Sequence, residues 1–137
     1  MDQLVPRGIR NNNPGNIRWG SDWQGLEKDG KSKDPSFCVF THKVYGIRAL
    51  AKVLINYKKL YGLNTVRSII SRYAPPNENQ TLAYIQSVCK QLNVHSEAVI
   101  DVEERGILCV LIKAIIRMEN GCQPYSDETI AKGIDLI

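Results

Sequence analysis

The run Ile107-Leu108-Cys109-Val110-Leu111-Ile112-Lys113-Ala114-Ile115-Ile116-Arg117-Met118-Glu119 constrains this fold more than any other part of the chain. Wound into a helix, it carries apolar residues on nearly every side, which predicts a rod buried at the centre of the molecule. It is too short to be a membrane span. Upstream, Asp101-x-x-Glu104 resembles a capping box and places the helix start near Asp101. Downstream, Asn120-Gly121 is a helix stop. The buried rod therefore ends in a carboxylate, Glu119, at the border of core and solvent. Apolar surroundings and the negative end of the helix dipole both disfavour its ionised form and predict a raised pKa. A carboxyl kept protonated near neutral pH is what a general acid needs.

Helical periodicity recurs earlier in the chain. Val44, Ile47, Leu50, Leu54, Tyr57 and Tyr61 are spaced by three and four residues and predict a helix over 43–61, with Thr41 as a cap and Gly62 as a stop. A short helix carrying Val66, Ile69 and Ile70 must end before Pro75-Pro76. The next begins near Asn79 or Thr81 and sets Leu82, Ile85, Val88 and Leu92 on one face. Ser126, followed by Asp127 and Glu128, opens a last short helix. Residues 7–40 differ: Gly, Asn, Asp and Pro alternate with Trp19, Trp23, Phe37 and Phe40, which predicts loops and a small β-hairpin region, with 37–40 as the best strand. The expected class is mainly α (α+β), a single domain across residues 1–137.

Composition narrows the function classes. With 43% hydrophobic residues the chain is too apolar to be disordered, and it contains no membrane span. The first eight residues lack the apolar core of a signal peptide, which predicts synthesis in the cytoplasm without one. The four cysteines, Cys38, Cys89, Cys109 and Cys122, form no CxxC pair, and His42 and His95 lie far from them, so no metal and no cofactor is expected. The same absence argues against a cysteine hydrolase built on Cys122. Net charge is +4, from 18 basic and 14 acidic residues, and Arg10, Arg18, Lys28, Lys31 and Lys33 are mixed with acids rather than gathered in a stripe. Nucleic acid is therefore not an expected partner.

The segment Ala114-Ile115-Ile116-Arg117-Met118-Glu119-Asn120-Gly121-Cys122-Gln123-Pro124 resembles the catalytic segment of lytic transglycosylases in the lysozyme-like superfamily, of the form A-I-x-R-x-E-S-G-x-x-P, in which a buried helix ends in the catalytic glutamate. Asn120 stands where that pattern has serine, which puts the serine's hydrogen bond in question. Other pieces resemble the family in its own order: Arg10 to Arg18 stands for a Gly-Leu-Met-Gln loop, Tyr45 to Tyr57 for an N-I-x-x-G-x-x-Y-L helix, Ser71 to Pro76 for A-Y-N-A-G-P, and Thr81 to Val88 for a T-x-x-Y-V-x-x-V helix. In the family the glutamate helix comes first; here it comes last. The resemblance implies a circularly permuted lysozyme-like helical domain, a rearrangement that is cheap when termini lie close together at the surface. The Asn-rich and Arg-Tyr-Ala-Pro-Pro stretches also resemble phage virion proteins associated with cell-wall digestion.

The resemblance implies cleavage of peptidoglycan glycan strands with Glu119 as the catalytic residue. One glutamate, acting as acid and then as base, suffices for the transglycosylase route. A hydrolase (muramidase) needs a second carboxylate; Glu27, Asp29, Asp34 and Glu78 lie in loops, and Glu78 is closest in sequence to the tyrosine Tyr73. A non-catalytic wall-binding or structural part of a phage particle remains the alternative on the same fold. Candidate substrate-binding residues are Asn13, Asn16, Tyr73, Glu78, Gln123 and Tyr125. The asparagines could bond N-acetyl sugars, but Asn-rich stretches also simply make turns, and Gln123 and Tyr125 could equally form a turn around Pro124. Tyr84 and Tyr45 lie on apolar faces and read as core. The implied place of action is the periplasm or cell wall, with other virion proteins as partners if a phage particle carries the chain.

Overall fold

A computed structural model describes residues 5–76 and 80–137. Among these, the chain forms helices α1 (Arg7–Arg10), α2 (Gly30–Lys33), α3 (Lys43–Tyr61), α4 (Val66–Tyr73), α5 (Thr81–Leu92), α6 (Arg105–Asn120) and α7 (Asp127–Asp135). The protein is mainly helical. No extended strand forms among the described residues. The predicted hairpin region reduces to isolated antiparallel bridges, Arg18 with Phe37 and Leu26 with Phe40. Segment 37–40 lies between two partners, Cys38 N–H donating to Ile17 O and Glu27 N–H to Val39 O, both at 2.8 Å, too few bonds for a ladder.

Local chemistry explains the boundaries. The ring of His42, rather than Thr41, caps α3 by accepting from Val44 N–H. Thr65 and Ser68 form a reciprocal capping box at α4, and Ser126 caps α7 as expected. Helix α6 starts three residues later than the Asp101 box suggested. Glu104 itself is the cap, its two carboxylate oxygens accepting from Gly106 N–H at 2.9 Å and Ile107 N–H at 3.0 Å. Asp101 is drawn off instead to Glu103 N–H and Lys58.

The buried-rod expectation holds for one broad face of α6, while Ile107, Cys109, Val110 and Met118 stay half-buried and Arg117 is exposed. Leu111, Ile112, Ala114, Ile115 and Ile116 of α6 are fully buried, and α6 packs against α5, α3 and α1. Helix α3 covers α7, and α4 covers α5. On α5 the buried face is Thr81, Tyr84, Ile85 and Val88; Leu82, expected on that face, is 60% exposed. A second, small core gathers Cys38, Phe40 and Ala49 beneath Ile17, Trp19, Trp23, Leu26 and Tyr45. It fastens the loop-rich segment to α3. Gly46 shows how closely: a Cβ there would lie 1.9 Å from Asn12 O, so the loop backbone sits directly on the helix.

Candidate active site

Glu119 lies in the last turn of α6, half-buried, where Gly121 at φ 75° turns the chain away. The loop 11–17 crosses that helix end. Asn120 Nδ2 donates to Pro14 O at 2.8 Å and to Ile116 O at 2.9 Å, tying loop to helix. The residue that replaces the expected serine thus makes a docking bond of its own. Asn12 and Asn16 both have left-handed backbones, φ 53° and 52°, a conformation asparagine tolerates better than most residues. The turn at Asn16 aims its amide at the glutamate.

Both carboxylate oxygens of Glu119 hold a donor. Asn16 Nδ2 donates to Oε1 at 2.9 Å, and the Tyr84 hydroxyl, reaching across from α5, donates to Oε2 at 2.9 Å. Burial pushes the Glu119 pKa up, while the bonds from Asn16 and Tyr84 pull it part of the way back; the net direction is up. Burial, then the charge of Glu119, raises the phenols of Tyr73 and Tyr84, so both remain protonated donors.

Glu119 opens onto a cleft of about 430 Å³, walled by Asn16, Arg18, Phe37, Tyr57, Arg72 and Tyr73. That volume is within the range of small-ligand sites. The cleft continues into an outer groove of about 730 Å³, sharing Ile17, Arg18, Val53, Tyr57, Arg72 and Pro75 and running on to Trp19 and Trp23. A further hollow shares Ser21 and Trp23 with it and reaches Lys52 and Asn56. The three hollows follow one another along α3, past Val53, Tyr57, Lys52 and Asn56.

The structure brings three of the expected residues together: Glu119, Asn16 and Tyr73. Tyr73 lines the cleft while its hydroxyl donates to Gly15 O, holding the loop that carries Asn16. Asn13 is placed elsewhere. It is fully buried, and its amide is consumed by Ile17 O, Cys38 O and Ile17 N–H, so it shapes the loop and does not face the cleft. The Gln123 side-chain amide donates to Tyr125 O and accepts from Tyr125 N–H around Pro124, a local turn outside the cleft lining. Glu78 lies outside the described residues.

Among the other candidate second carboxylates, Asp34 is buried against Asn11 and Arg7. Glu27 pairs with Lys33. Glu27 and Asp29 line a hollow that shares no residue with the Glu119 cleft, though it shares Trp19, Gly20 and Ser21 with the outer groove. Glu119 is thus the one carboxylate lining that cleft among the described residues. Sequence reasoning missed Tyr57 and Arg72; it read Tyr84 as core, as its burial bears out, but gave its hydroxyl no partner. For Tyr84 a signal existed, since a phenol on a buried helical face must find a partner for its hydroxyl.

Among the described residues no cluster of His, Cys, Asp or Glu could hold a metal ion, and no helix is long and apolar enough to cross a membrane. No known family model matches the sequence. It is 40% identical over 132 residues to "Protein P5" of Pseudoalteromonas phage PM2, an alignment covering 94% of this chain and 80% of that protein. At that identity and coverage, the chain belongs to the same family as phage PM2 Protein P5.

Proposed function

We propose that this chain is a peptidoglycan lytic transglycosylase, cutting the β-1,4 bond between N-acetylmuramic acid and N-acetylglucosamine with Glu119 as acid and then base. The observation that carries the reading is a single half-buried carboxyl, raised in pKa, held at both oxygens and opening onto a cleft that adjoins an outer groove. In the first step the protonated Glu119 gives its proton to the glycosidic oxygen as the C1–O bond breaks. The resulting carboxylate then takes the proton of the C6 hydroxyl of the same sugar. That oxygen closes on C1, a 1,6-anhydro ring forms, and Glu119 is again protonated. No water is consumed. Tyr84 and Asn16 hold the carboxylate still and stabilise its charge between the steps, and Tyr73 holds the loop that carries Asn16.

Three further points favour this reading. The sequence around Glu119 resembles that of lytic transglycosylases, as do the pieces that precede it. A phage relative suits an enzyme that must open a bacterial wall, with other virion proteins as partners and the periplasm or wall as its place of action. The absence of a second carboxylate among the described residues that line the Glu119 cleft itself favours the one-glutamate route over a muramidase.

A turbidity assay on purified sacculi tests the proposal, with Glu119→Gln as the control. Clearing by the wild type and loss of about 10²–10⁴-fold in the variant is expected for removal of a general acid. Co-sedimentation with sacculi and no clearing by either protein would point instead to a wall-binding part of the particle.

A further inference from the structure

Arg72 stands at the mouth of the cleft with a hydrogen-bonding edge that no step above uses. It lies in the last turn of α4, exposed, and lines both the cleft of Glu119 and the outer groove. Its guanidinium carbon lies 3.9 Å from the Tyr61 ring centroid and 5.6 Å from that of Tyr57. Stacking on rings occupies the face of the planar group and leaves its N–H edge as the surface for bonding. Arg7, Arg67 and Arg105 each have a carboxylate within ion-pair distance. Among the described residues Arg72 has none. A long side chain already held by two rings loses little freedom when it binds, and an arginine edge matches a carboxylate with two parallel bonds.

We propose that Arg72 determines specificity by receiving a carboxylate carried on the glycan strand, so that the cleft selects strands of acidic sugars over neutral amino-sugar polymers. This rests on the reading of the cleft as a glycan site. The carboxylate has two sources of the same chemistry: the lactyl ether of muramic acid in a bare strand, or the stem peptide attached to it. Neutral chitin offers neither. The arginine acts on binding and transfers no proton, so it lies outside the cleavage machinery.

The test is calorimetric binding with Glu119→Gln protein, which leaves strands intact, with and without Arg72→Gln. Three probes are compared: peptide-free peptidoglycan strands, peptide-bearing strands and chitohexaose. The expected result is a loss of about tenfold on acidic strands and no change on chitohexaose, with added salt narrowing the difference. A loss on peptide-free strands assigns the lactyl carboxylate; a loss confined to peptide-bearing strands assigns the stem. Equal weakening on all three probes, weakening on none, or binding of none overturns the inference. Arg72 is exposed, and a thermal melt matching that of the parent protein verifies the fold of the variant. Clearing of sacculi by the wild type is read separately. Arg72-dependent binding without clearing would sink the cleavage reaction and leave this inference standing.

Discussion

Replacing Tyr84 by phenylalanine isolates one bond to the proposed acid. Tyr84 is 4% exposed and its hydroxyl donates to Glu119 Oε2 at 2.9 Å. The substitution keeps the ring in the core and deletes only the donor. A hydrogen bond to a charged group is worth about 1.5–3 kcal/mol, against about 1 kcal/mol between neutral groups. The phenol therefore favours the carboxylate over the acid by about 1–2 kcal/mol, which corresponds to about one pH unit. Its loss acts in the same direction as burial and raises the pKa of Glu119 further. The first step needs the protonated acid, so the rate falls as pH rises through that value. Tyr84→Phe is expected to move the alkaline limb of the rate–pH profile up by about one unit. The assay is initial clearing of sacculi from pH 4 to 9 at constant ionic strength. A limb that stays in place, or moves down, would refute the claim that this bond sets the protonation of Glu119.

The same carboxyl links function to stability. Burial raises the folded-state pKa of Glu119 above its ordinary 4.5, so the stability present below 4.5 is lost as pH rises through the raised value. Glu119→Gln removes that loss, and its melting temperature should match the wild type at low pH and exceed it at neutral pH; a constant difference across pH would contradict the burial. Asn16→Gly keeps the left-handed turn at φ 52° free of strain and deletes the amide, so it should lower the clearing rate about tenfold and shift the alkaline limb up, in the same sense as Tyr84→Phe. Gly46→Ala puts a Cβ 1.9 Å from Asn12 O, and denaturant unfolding should register a loss of at least about 2 kcal/mol. Because the displaced loop carries Asn16, clearing by Gly46→Ala should fall even at temperatures where the variant stays folded.

Periodicity reveals the helices because burial repeats with the turn of the helix. That is why α3 and the end of α6 stand where the spacing of Val44 to Tyr61 and the stop at Asn120-Gly121 put them. The start of α6 was less legible, since two acids compete to cap it and only the packed chain decides that Glu104 wins while Asp101 turns to Lys58. The face of α5 was misjudged at Leu82 because hydropathy outranks position in a pattern, whereas a helix on a crowded core shows its neighbours one arc only. In the site, Glu119 was visible as the end of an apolar run. The asparagines were not separable by sequence: Asn13 and Asn16 are alike in type and setting, yet one is locked inward by two carbonyls and the other turned outward to the carboxylate. Tyr84 and Arg72 come from helices remote in sequence, and only the packing of α4 and α5 brings them to the end of α6.

Mass spectrometry of the muropeptides released from sacculi bears most directly on the central claim, that one glutamate carries both proton transfers. The account predicts products ending in 1,6-anhydro-N-acetylmuramic acid, formed by the wild type and absent with Glu119→Gln. Reducing ends in place of anhydro ends would mean that water, activated by a second group, completes the reaction, and would contradict it.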